Sequence, residues 1–322
     1  MSARELCVVG LGLIGGSVAQ AAMHAGWTVR GATASAEDTA AAAEAGVRVE
    51  PDVATALRRA AADDALVLLA VPLTAVDDVL STVAEHAPAC RLTDVVGVKE
   101  PVAAAVARRV PRVRYVGGHP MAGTTRPGFA ADSAELFTGA PWVVSVDGPH
   151  RAVWTDVAGL ALDCRAVVVP ATAADHDAAA ARISHLPHLL AAVLAAVGAD
   201  GGPLALALGA GSFTDGTRVA GAPPDLVRAM CEGNRSALVD ALDDALGRLG
   251  AARGALASSG TVEATVRTGY LARRAFDAAR APGDGSMQVD LESPTALERL
   301  RELGRLGARV TALHGTRAQV ML

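Results

Sequence analysis

Over its first half the chain is predicted to be an α/β fold, a doubly wound and mostly parallel sheet; over most of its second half it is predicted to be all-helical. Three observations carry this. Short apolar runs alternate with Ala-rich helical stretches up to about residue 170. A glycine-rich turn follows directly on the first apolar run. From Ala173 to about Arg280 the alternation stops and nearly everything has helical spacing. With 322 residues the chain has room for two domains and a sizeable core.

The expected strands are Leu6–Val9, Thr28–Gly31, Ala65–Ala70, Arg91–Asp94, Arg114–Val116, Trp142–Val146 and Arg165–Val168. Helical patterns lie between them at Ala36–Ala45, Val53–Ala60, Ala75–His86 and Pro101–Arg109. The helical region breaks at Gly201-Gly202, Gly221–Pro224 and Ser258–Gly260. A linker, Ala281–Gly285, leads to a short strand-helix-strand tail at Met287–Leu291, Ala296–Gly304 and Arg309–Leu313. The expected domains are therefore residues 1–170, 171–281 and a tail of 282–322.

Composition narrows the function. A net charge of −5 and 3% aromatic residues argue against a general basic surface or a base-stacking platform, so no nucleic-acid partner is expected. Cys7, Cys90, Cys164 and Cys231 stand singly, which fits a reducing compartment better than a disulfide framework or a zinc site. Leu6–Ala22 imitates a signal peptide, but Gly10, Gly12, Gly15 and Gly16 suit a turn better than an apolar helix. No membrane span is expected, and the cytoplasm is the expected location. Of 29 basic residues only Lys99 is a lysine, so it is either a residue of drift in an Arg-biased chain or a functional survivor.

Five clusters carry candidate chemistry. Gly10-Leu11-Gly12-Leu13-Ile14-Gly15 is a GxGxxG turn between a strand and a helix, the fingerprint of a Rossmann-type dinucleotide site. Gly10 allows the tight turn, Gly12 lets backbone approach a pyrophosphate, Gly15 lets the helix pack closely, and Leu13 and Ile14 begin the helix whose N–H groups face the phosphates. Thr33 stands where an acid usually accepts the ribose 2′-hydroxyl. No arginine just beyond it would hold a 2′-phosphate, so NAD is the expected cofactor and NADP stays open. Val71-Pro72 and Asp94 close strands at the crevice of such a sheet.

The second cluster, Asp94-Val95-Val96-Gly97-Val98-Lys99, follows a strand and should face the nicotinamide end; otherwise Lys99 is a solvated loop lysine. The third, Gly117-Gly118-His119-Pro120-Met121-Ala122-Gly123, offers an imidazole able to accept a proton from a carbinol as hydride leaves. In the fourth, Asp175-His176-Asp177 precedes Ser184 and His188, which share a helix face; these are polar anchors or packing residues, and no metal is expected. In the fifth, Arg218 follows a glycine-rich bend containing Gly211 and reads as a carboxylate clamp, or else as an ion-pair partner of Asp215 or Asp225.

Together, from Leu6 to about Ala279, these motifs resemble the TyrA family, the prephenate and arogenate dehydrogenases of tyrosine biosynthesis. The resemblance implies NAD(P)-dependent oxidative decarboxylation of a dianionic cyclohexadiene and a homodimer formed by the helical domain. It implies that His119 polarises the 4-substituent and accepts its proton, and that Arg218 binds a substrate carboxylate. His176, Ser184 and His188 would lie near the substrate side chain, with Gly97, Lys99 and Gly211 also lining the site. Two positions depart from the family pattern. The loop serine that contacts the substrate's 4-hydroxyl is replaced by Gly97, and an acid often found after the histidine motif is replaced by Thr125. The expected substrate is thus prephenate or arogenate; the alternative is 4-amino-4-deoxyprephenate in an antibiotic pathway. In a different class, the chain would be a non-catalytic NAD sensor.

Overall fold

The computed structural model describes residues 4–123, 128–129, 134–280 and 285–322. The chain divides into two units, residues 1–177 with 286–322, and residues 178–285.

In the first unit, β1 (Glu5–Val9) runs through the glycine turn into α1 (Leu13–His24), followed by β2 (Thr28–Ala32), α2 (Ala36–Glu44), β3 (Arg48–Val49) and α3 (Val53–Ala62). Ser35 and Asp52 start α2 and α3 by accepting the N–H groups of Asp38 and Thr55. The chain continues through β4 (Leu66–Leu69), α4 (Val76–His86), β5 (Arg91–Asp94), α5 (Glu100–Arg109) and β6 (Arg114–Tyr115). The sheet order is β3-β2-β1-β4-β5-β6 with every pairing parallel. Leu66–Leu69 is buried on both faces, as a strand covered by helices on two sides must be. The order reverses between β1 and β4, so the crevice for a ligand opens at their carboxyl ends.

A second sheet then begins where the sequence suggests a continuation of the first. Its strands are β7 (Gly118–Pro120), β8 (Pro141–Ser145) and, after α6 (Arg151–Asp163), β9 (Val167–Ala171). Past the end of α6 the chain turns at Arg165, whose φ of 62° is left-handed, so β9 starts later than the expected Arg165. The glycine pair before His119 makes the crossing between sheets. A Cβ on Gly117 would lie 2.9 Å from the Tyr115 hydroxyl, and one on Gly118 would lie 2.7 Å from the Asp94 carbonyl oxygen. Only bare backbone passes.

The C-terminal segment joins this unit rather than standing apart as a strand-helix-strand. It forms β10 (Ser286–Asp290), α14 (Ala296–Arg305), β11 (Arg309–His314) and a further strand, β12 (Arg317–Met321). The mixed sheet runs β10-β12-β11-β9-β8-β7. Helix α14 lies so close to β9 that a Cβ on Gly304 would stand 1.7 Å from the Pro170 carbonyl oxygen.

The second unit is helical. Helix α7 (Ala173–Ala180), most of which belongs to the first unit, leads through a π turn at Ala181–His185 into α8 (Leu186–Asp200), then α9 (Gly202–Ala207), α10 (Gly211–Thr217), α11 (Pro224–Gly233), α12 (Arg235–Ser259) and α13 (Glu263–Ala279). Its own core is small: Ala181, Cys231, Leu238 and Ala241. Among the described residues, every large exposed apolar side chain except Leu306 and Leu322 lies in this unit, from Ile183 to Phe276. One helical stretch, Ala173–Asp200, is long and apolar enough to cross a membrane by length and composition. The expected linker at 281–284 lies outside the described residues. All four cysteines are buried and free, and burial pushes the Cys7 and Cys90 thiols up to about 12, which keeps them protonated and inert.

Candidate active site

The glycine turn has the shape its sequence implies. Gly10 adopts φ of 98°, and a Cβ there would meet the Ala70 carbonyl oxygen at 2.4 Å. A Cβ on Gly15 would fall 1.9 Å from the Gly10 carbonyl oxygen, so α1 presses against the turn itself. Gly12 differs, because nothing lies within 4 Å of its Cβ position. Helix α1 has no side-chain cap and no acid in its first turn. Open space beside Gly12, in front of the uncapped N–H groups of Leu13, Ile14 and Gly15, fits a pyrophosphate. Thr33 is half-buried beyond β2, and its hydroxyl is 3.5 Å from the Ser35 amide. Arg30 is turned inward against Asp63 and Glu50. Val71 and Pro72 follow β4 beside this turn; the Val71 side chain is 3.1 Å from the Gly10 Cβ position.

Asp94 and Lys99, expected beside the cofactor and the substrate, have buried side chains that meet each other. The Lys99 ammonium donates to Asp94 Oδ1 and, at 2.6 Å, to the Gly118 carbonyl. Asp94 also accepts from the Tyr115 hydroxyl at 2.6 Å and the Val96 amide at 2.8 Å. Burial lowers the Lys99 pKa, with the Asp94 charge opposing it. Burial and that same charge raise the Tyr115 pKa well above its ordinary value. A charge so enclosed braces the loop after β5 against the backbone that carries His119.

His119, on β7, meets His176 with Nδ1 to Nε2 at 2.8 Å. His176 is itself buried, and its Nδ1 lies 2.7 Å from Asp177 Oδ1. His176 thus links His119 to Asp177. Asp177 also accepts the Lys99 amide on Oδ1 and the Glu100 amide on Oδ2, both at 2.8 Å. Burial pushes its carboxyl up, but the hydrogen bonds from His176, Glu100 and Lys99 outweigh that and hold it below the usual carboxylate range. Sequence reasoning noted the Asp175-His176-Asp177 run without choosing between its acids. The structure chooses: Asp175 faces Arg305 at 3.0 Å and Asp177 faces inward.

Gly97 sits against the other side of the His119 ring. A Cβ there would be 3.7 Å from both Cε1 and Nε2 of His119, ordinary contact distance. Thr125 lies outside the described residues.

The remaining candidates belong to the helical unit. The half-buried Ser184 and His188 share a face as expected, and His188 Nδ1 donates to the Ser184 carbonyl at 2.8 Å across the end of the π turn. Gly211 opens α10 and is exposed. Arg218, on the 3-10 turn Arg218–Gly221, is exposed and makes no ion pair among the described residues; Asp225 pairs instead with Arg228 at 3.5 Å.

Comparison with known proteins agrees with this arrangement. A family profile described as the prephenate dehydrogenase nucleotide-binding domain matches residues 18–169, and one described as the prephenate dehydrogenase dimerization domain matches residues 172–267. The chain is 30% identical to a prephenate dehydrogenase of Bacillus subtilis over 250 residues, 74% of this chain and 66% of that protein. A crystal structure from Corynebacterium glutamicum, solved as a candidate prephenate dehydrogenase, is 44% identical with a TM-score of 0.90, covering 96% of this chain and 99% of that one. The prephenate dehydrogenase of Aquifex aeolicus, solved with hydroxyphenyl propionate and NAD+, shares the fold at 20% identity, with a TM-score of 0.76 over 86% of this chain and 99% of that one. A reversing parallel sheet with a phosphate-sized glycine turn, a histidine held at its crevice and a helical unit rich in exposed apolar side chains thus occur in one sequence that both family profiles match: the chain belongs to the prephenate dehydrogenase family.

Proposed function

We propose that this dehydrogenase carries out NAD-dependent oxidative decarboxylation of prephenate, or of arogenate, to an aromatic product in tyrosine biosynthesis. The observation that carries the reading is His119, held by His176 and Asp177 in the same unit as an open dinucleotide turn. Gly10, Gly12, Leu13, Ile14 and Gly15 would hold the cofactor's phosphates, with Thr33 near its ribose and Val71-Pro72 along its length. When bound, the nicotinamide supplies the hydride acceptor.

His119 takes the 4-hydroxyl proton as hydride leaves the same ring carbon. It returns that proton to the oxygen as carbon dioxide departs and the ring becomes aromatic. Within the helical unit, Arg218, exposed and without an ion pair among the described residues, suits a carboxylate, and Ser184, His188 and Gly211 belong to that same unit. Two copies of that unit would cover each other's apolar side chains, making the working enzyme a homodimer. Four free, buried thiols fit the cytoplasm.

A second reading is favoured by Gly97. Without a hydroxyl beside His119, the site suits a substrate with a different 4-substituent, and 4-amino-4-deoxyprephenate is such a compound.

The test is NADH formation from prephenate, arogenate and the amino analogue, each with NAD and NADP. Turnover of one of them with NAD, falling at least about 100-fold in His119→Asn while NAD binding stays intact, supports the reading. Retained turnover in that variant removes His119 from the chemistry. Absence of turnover with all three substrates would instead favour a non-catalytic NAD sensor.

A further inference from the structure

We propose that Asp177 is a positioning residue for the reaction, fixing the proton of His119 on Nδ1 by way of His176 and leaving Nε2 as the basic nitrogen. The inference rests on the reading of His119 as proton acceptor and adds a residue to it.

The argument follows the donors and acceptors. An ionised carboxylate only accepts, so His176 Nδ1, 2.7 Å from Asp177 Oδ1, carries the hydrogen. A neutral imidazole with its hydrogen on Nδ1 presents Nε2 as an acceptor. His119 Nδ1, 2.8 Å from that atom, must therefore donate, and its own lone pair lies on Nε2. That nitrogen is the one 3.7 Å from the Cβ position of Gly97, on the loop where the family places the residue that meets the reacting group. The orientation is set two hydrogen bonds away from the imidazole it controls.

Asp177 is rigidly seated for this task. It receives the Lys99 and Glu100 amides where α5 begins, and 2% of its side chain is exposed. The ionisable groups around it are His176 on its own helix, Lys99 paired with Asp94, and Tyr115. If Asp177 only capped α5, the two amide bonds would suffice; the third bond, to His176, is what continues the chain to His119.

Asp177→Asn is the direct test. An amide has a donor at one end, so it cannot accept from all three N–H groups. We expect kcat to fall at least about 100-fold with KM changed less than about threefold, the lower end of what general acid–base catalysis contributes. The acid limb of kcat/KM should move to lower pH, because an anion that favours the imidazolium is gone. Histidine-selective 15N NMR on the ligand-free protein reads the tautomer directly. The native protein should show His119 with a bare Nε2, and the variant should lose that single form. A folded variant with kcat within twofold, an unmoved acid limb and an unchanged His119 tautomer overturns the proposal.

Should Asp177→Asn fail to fold, two substitutions of His176 decide. His176→Gln can still accept from His119 through its carbonyl and should keep most of the activity. His176→Phe cannot, and should lose about as much as expected for Asp177→Asn. Equal rates in the two would also overturn the proposal. If no substrate is turned over by the native enzyme, the reading of its function fails, while the NMR comparison still decides the role of Asp177.

Discussion

Gly97 leaves room for a side chain 3.7 Å from the His119 ring, in backbone that is not left-handed, so a serine fits without strain. Gly97→Ser should therefore fold normally and put a hydroxyl beside Nε2. A site that hydrogen-bonds a substrate hydroxyl discriminates strongly for it. We expect kcat/KM for prephenate relative to the amino analogue to rise about tenfold, measured with both substrates in the variant and the native enzyme; an unchanged ratio would show that position 97 does not set specificity. At this scale the sequence is legible where the chemistry is local. The glycine turn could be read because Gly10, Gly12 and Gly15 act within six residues of each other. The partners of Lys99 are not legible, because two of the groups that receive its N–H bonds, Gly118 and Asp177, lie 19 and 78 positions away. A lone lysine looks the same in sequence whether it faces a ligand or a buried carboxylate.

The elements that cross between the two sheets depend on that lysine. Its bonds to Asp94 at the end of β5 and to the carbonyl of Gly118 on β7 tie the last strands of one sheet to the first of the other. Lys99→Met keeps the volume and removes the charge, leaving the buried Asp94 carboxyl without its cationic partner. Breaking such a pair costs about 3–5 kcal/mol. We expect the loss in urea unfolding of the variant, and a smaller one when Asp94→Asn is added; a loss below about 1 kcal/mol would mean the pair is not a brace. The second sheet itself was hidden for a related reason. Strands β8 and β9 alternate with α6 just as earlier strands alternate with their helices, so the pattern predicts one continuous sheet. Strand β7 has three residues, and β9 finds its outer neighbour only at Val310, which no local periodicity announces.

For the whole molecule, the helical unit carries the candidate assembly face. Its own core is too small to account for the apolar side chains it carries, and Val193, Val197, Leu246, Leu249 and Leu256 are among those exposed. The matched dimerization domain spans residues 172–267 and contains all five. Light scattering should give about 65 kDa, twice the 32.4 kDa chain mass. Val197→Asp and Leu249→Asp should each raise the dimer dissociation constant at least about 100-fold, as burial of a carboxylate in an apolar interface requires. A mass of one chain in the native protein, or variants as dimeric as the native, would argue against this face.

The closing strands give the first unit a particular history. Strands β10, β11 and β12 complete a sheet whose other members, β7, β8 and β9, precede the entire helical unit in the chain. A ribosome therefore delivers about 110 helical residues before it supplies the partner for β9, and during that interval β9 has an exposed edge and bare Pro170 where Gly304 will later dock. The first unit is thus begun before the helical unit and completed after it. Over that interval the nascent chain has an unprotected sheet edge, so chaperone engagement would be concentrated there.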